Sequence, residues 1–102
     1  MSTYVVIEDG ELRYTKSEVC RMSEMQLNPE LVGHVLAGFR ERKGMTQEVL
    51  SGLANIGRSH LSAIECGERK PTLETFYRLS CALDVPMSTI AREIEKEIEM
   101  RK

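Results

Sequence analysis

Between Thr46 and Gly67 the chain is cut into two helices that are each too short to stand alone. Thr46 can cap one helix, with Val49, Leu50, Leu53 and Ala54 expected inward, and Asn55 sits where the backbone must turn. Asn tolerates the left-handed conformation better than most residues. A second short helix is expected from about Arg58 to Glu65, stopped by Gly67. Isolated helices of this length are marginal in water, so both must be held by other elements. The second also has an unusual face. Ile56, Leu61 and Ile64 fall at helical spacing, yet Ser59, Ser62 and Ala63 stand where long charged side chains are usual, and only Arg58 and His60 reach far.

The supporting elements are legible on both sides. Asn28-Pro29-Glu30 supplies an N-cap, a proline at the first helical position and an acid in the first turn. Leu31, Val32, Val35, Leu36 and Phe39 then form an apolar stripe, and Gly44 ends that helix. Thr72 can cap a fourth helix through LETFYRLSCAL, with Leu73, Phe76, Leu79, Ala82 and Leu83 expected inside. After Asp84-Val85-Pro86 a last helix, from about Met87 or Thr89, carries Ile90, Ala91, Ile94 and Ile98. Ile90 belongs with the core. Ile94 and Ile98 extend past it, to pack either on the N-terminal region or on a second subunit.

Upstream, YVVIEDGELRYT reads as a β-hairpin with Asp9-Gly10 as a two-residue turn, setting Ile7 opposite Leu12 and Val5 opposite Tyr14. A short helical stretch is expected from Ser17. The fold expected is mainly α, a five-helix bundle with a short N-terminal β-hairpin. Residues 1–27 form the hairpin and connecting segment; residues 28–102 form the helical domain with an extended C-terminal helix.

Composition narrows the function. A length of 102 residues suits one domain, and 41% hydrophobic and 29% charged residues are ordinary for a globular protein. No apolar run reaches the ~20 residues that span a bilayer. The N-terminus lacks a basic region followed by a long apolar stretch, so the expected location is the cytoplasm, with no membrane association. Cys20, Cys66 and Cys81 form no paired motif, and His34 and His60 add no zinc-like pattern, so free thiols and no metal or other cofactor are expected. Arg69 and Lys70 near Cys66 leave redox sensitivity as a lesser reading. Net charge is −2, but unevenly spread. Residues 1–38 carry three basic and six acidic side chains, while residues 39–70 carry six basic against four acidic. The one net-positive stretch contains the trimmed helix.

The segment TQEVLSGLANIGRSHLSAIECGERKP resembles the phage-repressor and Cro-type (XRE-family) helix-turn-helix regulators, and the resemblance extends over roughly residues 30 to 94. Thr46-Gln47 matches the family's opening of the first motif helix. Leu50, Ala54, Ile56, Leu61 and Ile64 match its apolar positions. Ser51 replaces the usual Ala, and Asn55 the usual Gly. Downstream, IECGERKPTLETFYRLSCALDVP resembles the family's Glu-x-Gly, basic loop, Pro and fourth helix.

The resemblance implies a DNA-binding transcriptional regulator, most simply a repressor, that binds double-stranded DNA through helix 58–65. The trimmed face then has a reason: small outward side chains let a helix backbone approach base edges in a major groove about 12 Å wide. Arg58 is the candidate for a bidentate guanine contact, Ser59, His60 and Ser62 for polar contacts, and the Ala63 methyl for a thymine methyl. Gln47, Arg42, Lys43, Arg69 and Lys70 are candidates for phosphate contact. The family tends to pair an Arg on its first helix with the Glu ending the recognition helix, which makes Arg40 and Glu65 structural, with Asn55 as the structural turn residue. One short helix reads few base pairs, so a homodimer on a pseudo-palindromic operator is expected. The competing reading is a protein-interaction adaptor or antitoxin-like module on the same fold, with a possible protein partner. No side-chain constellation suggests an enzyme.

Overall fold

The computed structural model describes residues 26–101, together with the backbone of strands β1 (Tyr4–Val6) and β2 (Leu12–Tyr14). Each helix begins where its capping chemistry allows. The Asn28 side chain accepts from the Glu30 N–H at 2.9 Å, and α1 runs Pro29–Arg42. Thr46 Oγ1 accepts from Val49 N at 3.1 Å ahead of α2 (Gln47–Ala54), and Thr72 Oγ1 accepts from Thr75 N at 3.1 Å ahead of α4 (Leu73–Leu83). Gly57 precedes α3 (Arg58–Glu65) and Pro86 precedes α5 (Met87–Met100), neither with a side-chain cap bond.

Two helices end on non-glycine residues in the left-handed region. Asn55 (φ 56°) closes α2 with its own N–H on Gly52 O and the Ile56 N–H on Ser51 O, at 3.2 and 3.0 Å. Asp84 (φ 57°) repeats the pattern after α4, with its own N–H on Cys81 O and the Val85 N–H on Ser80 O, both at 3.1 Å. These are Schellman closures, which satisfy carbonyls the helix end leaves over. Asn and Asp tolerate the strain because their short polar side chains can hydrogen-bond locally to the backbone.

Leu36, Leu50, Leu61, Ile64, Leu79, Leu83 and Ile90 are fully buried, so every helix places at least one large aliphatic side chain in one shared core. Each such burial is worth about 1.5–3 kcal/mol relative to exposure. Contacts run α1 to α3 and α5, α2 to α3 and α4, and α4 to α5. The tightest approach is α1 on α3: a Cβ at Gly33 would lie 2.6 Å from the Glu65 carbonyl oxygen and closer still to that of Ile64. No helix among the described residues is long and apolar enough to cross a membrane.

Several expected core positions lie elsewhere. Val49 and Leu53 are 50% and 61% exposed, because α2 is rotated so that Leu50, Ser51 and Ala54 face inward. Ser51 enters the core at low cost because its hydroxyl donates to Glu48 O at 3.0 Å. Leu73 is 76% exposed, since Thr75 takes the inward position in the first turn of α4. Ala91 is also exposed. Ile94, by contrast, is buried in this chain's own bundle, with Ile98 half-buried against it.

β1 and β2 pair antiparallel, Tyr4 with Tyr14, Val5 with Arg13 and Val6 with Leu12. This is one residue away from the expected register of Val5 with Tyr14. A two-residue turn leaves an even number of residues between paired positions, whereas Val6 and Leu12 enclose an odd number. The turn at Asp9-Gly10, the strand side chains and the short helix expected from Ser17 lie outside the described residues.

Candidate nucleic-acid interface

The placement of α3 follows from what holds its inner face and its ends. Leu61 and Ile64 are fully buried and anchor the inner side. At the C-terminal end, Glu68 N and Arg69 N both donate to Ala63 O, at 2.9 and 3.2 Å, wrapping the loop back over the helix. Gly67, at φ +83°, lies against Glu30 so closely that a Cβ would collide with its backbone. At the other end, Arg78 of α4 donates to Asn55 O at 3.3 Å, tying the turn to the bundle.

Glu65 is the junction of this support. Its Oε2 accepts from Arg40 Nε at 2.7 Å, and its Oε1 accepts from Arg40 Nη2 at 3.0 Å and from Gln47 Nε2 at 2.9 Å. Arg40 Nη1 also donates to Met45 O at 2.8 Å, in the connection between α1 and α2. The Glu65 side chain is only 6% exposed and that of Arg40 14%. Hydrogen bonding to the Glu65 carboxylate holds the Arg40 guanidinium above the ordinary arginine range, against the lowering effect of its burial. One carboxylate thus joins α1, α2 and α3, and Arg40 carries the link on to the connection between α1 and α2. No buried side-chain nitrogen or oxygen among the described residues lacks a partner.

The other side of α3 is open. Arg58 and Ser59 are exposed, and His60, Ser62 and Ala63 are half-buried. The first turn of α3 holds no acid, so Arg58 and the helix N-terminus present positive potential together. Arg69 and Lys70 are exposed in the following loop, with Glu68 exposed beside them. Lys43 is exposed beyond α1. Arg42 is exposed but engaged: Nε donates to Gly38 O at 3.2 Å, and the guanidinium lies 4.4 Å from the Phe39 ring centroid. Gln47 is half-buried, its amide turned to Glu65.

The bond from Gln47 to Glu65 was not anticipated from the sequence. Nor were the Arg40 bond to Met45 O or the Arg78 bond to Asn55 O. Of the two glycines in α1, Gly33 marks the close approach to α3 and Gly38 does not, so glycine alone did not single out the contact.

The sequence profile of the helix-turn-helix family HTH_3 matches residues 36–90, which contain the second half of α1, all of α2, α3 and α4, and the start of α5. The chain belongs to the XRE-type helix-turn-helix family of DNA-binding transcriptional regulators. This regulator is 41% identical over 56 residues to the uncharacterized HTH-type transcriptional regulator y4dJ of Sinorhizobium fredii, a match spanning 55% of this chain and 73% of y4dJ. Among solved structures it resembles the restriction-modification controller protein C.AhdI from Aeromonas hydrophila, at 30% identity and a TM-score of 0.60 over 68% of this chain and 98% of that one. The wild-type controller C.Esp1396I is likewise similar, at 30% identity and a TM-score of 0.67, over 72% of this chain and 95% of that one.

Proposed function

We propose that this regulator reads double-stranded DNA by seating α3 in the major groove and represses transcription by occupying its site. The observation that carries the reading is the asymmetry of α3. Its inner face and both ends are fastened to the bundle, while Arg58 and Ser59 stand exposed beside the small side chains Ser62 and Ala63. Arg58 contacts guanine in two places, and Ser59, His60, Ser62 and Ala63 complete the base-reading face. Lys43, Arg69 and Lys70 attract phosphates, and Arg42 adds charge without leaving Phe39. Gln47 presents its backbone N–H and its remaining amide proton to a phosphate while Glu65 fixes its orientation. Arg40, Glu65 and Asn55 act as structure.

The helical domain, residues 28–102, works as a homodimer on a pseudo-palindromic operator in the cytoplasm, with no enzymatic step. Two copies placed about 34 Å apart along the helix multiply contact area and specificity. Selection of bound sites from a random duplex pool tests this directly, with two related half-sites expected. A pool that enriches nothing, or sedimentation showing a monomer with and without DNA, overturns it. An adaptor or antitoxin-like module is the second reading, favoured by the exposed Val49 and Leu53 on the outer side of α2. DNA affinity that does not change with salt selects that alternative.

A further inference from the structure

The support of α3 is unequal at its two ends. The C-terminal end is held by Glu65, whose side chain is 6% exposed and takes three hydrogen bonds of 2.7, 3.0 and 2.9 Å. The N-terminal end carries Arg58 and Ser59, yet Gly57 in front of it offers no side chain to cap the helix. Among the described residues, the turn at 55–57 receives one side-chain hydrogen bond, from Arg78 Nη1 of α4 to Asn55 O at 3.3 Å. We infer that Arg78 is a positioning residue for DNA reading: it holds this turn from outside the motif and so sets where Arg58 and Ser59 meet the bases.

The inference rests on α3 being the reading helix and adds the residue that aims it. Asn55 is the left-handed residue closing α2, and its own N–H and that of Ile56 are spent within that closure. Its carbonyl is left for a partner from elsewhere. α2 has no basic residue in its last turn, so its own side chains do not offset the negative end of its dipole. The Arg78 guanidinium meets both needs, as a donor to the carbonyl and as a cation at the helix end. Glu74, one turn earlier on α4, lies 3.5 Å from Nη2 and orients the guanidinium. Ile56 is half-buried against the core, but an apolar contact is non-directional: it sets the depth of the turn and not its rotation. Arg58 follows Asn55 by only three residues, so little chain lies between them to absorb a shift of the turn. Arg78 itself is 43% exposed, which makes its removal a test of aim rather than of folding.

Affinities for the selected operator and for random duplex, measured at several salt concentrations for the wild type, Arg78→Ala and Arg78→Lys, test this. Arg78→Ala should lower the ratio of operator to random-duplex affinity about fivefold, the lower end of what one bidentate base contact is worth. Its salt slope should match the wild type, because no phosphate contact is lost. Arg78→Lys keeps a donor and a cation beside Asn55 O and should recover most of the ratio. The thermal midpoint should move by no more than about 4 °C, as for a surface substitution. An unchanged ratio for Arg78→Ala overturns the inference. So does a slope shallower by about 0.9, which makes Arg78 a phosphate contact, or a larger thermal shift, which makes it a brace of the bundle. A wild-type ratio near one removes α3 as the reading helix and the inference with it, whereas an unchanged ratio in the variant leaves that reading intact.

Discussion

Replacing Glu65 with alanine should cost this regulator about 3–5 kcal/mol, the range for breaking a buried ion pair from one side. The substitution deletes three hydrogen bonds, two from Arg40 and one from Gln47. It leaves the Arg40 guanidinium, 14% exposed, with only Met45 O at 2.8 Å and the Glu41 carboxylate at 3.8 Å. Glu41 is 70% exposed, and surface pairs of that kind contribute about 0–1 kcal/mol, so it cannot compensate. A domain of this size has roughly 5–15 kcal/mol to lose, which makes the effect plain in urea unfolding. The double variant Arg40→Met, Glu65→Leu removes both charges and should recover most of the loss, because no ion then remains buried without a partner. A midpoint shift worth less than about 1 kcal/mol for Glu65→Ala, at unchanged denaturant slope, would show that the pair behaves as a solvated surface bridge. The junction role assigned to Glu65 would then be wrong.

Gly33→Ala should lower stability by about 1–3 kcal/mol, because the added methyl must push α1 away from the Ile64 and Glu65 carbonyls; thermal unfolding reads this, and an unchanged midpoint would mean the helices separate freely. Leu53→Lys should change stability by no more than about 0.5 kcal/mol, since the side chain is 61% exposed, and a larger loss in urea unfolding would place it in an interface. Arg58→Ala should cost about 1–3 kcal/mol at one operator position, seen as relaxed base preference there in site selection. Lys70→Ala should weaken all sequences alike and reduce the salt slope by about 0.9, and an unchanged slope in titrations at several salt concentrations would remove it from the phosphate contacts.

The helix boundaries were legible because local chemistry sets them. Asn28, Thr46 and Thr72 cap helices through their own side chains, and Asn55 stops α2 by adopting the left-handed conformation. The large aliphatic core was legible for a similar reason, since Leu61 and Ile64 recur at helical spacing and have no alternative inner face. Val49, Leu53 and Leu73 misled because apolar side chains on an α-helix do not all point inward. The inward places went to Ser51 and Thr75, whose hydroxyls are satisfied within their own helix or its cap. Polarity alone could not exclude them from the interior. In the candidate site, Arg58 and Ser59 stand open as a helix N-terminus allows. The attachment of Gln47 to Glu65 depends on rotamers across 18 residues of sequence, which no local pattern encodes.

The clamp on Glu65 has a mechanical implication for how sequence is chosen. In the proposed reading, an α3 held by Arg40 and Gln47 through Glu65 cannot tilt to follow an imperfect groove, so the duplex has to supply the accommodation. Flexible steps such as TA or CA, placed between the proposed half-sites, should therefore matter even where no side chain reaches them.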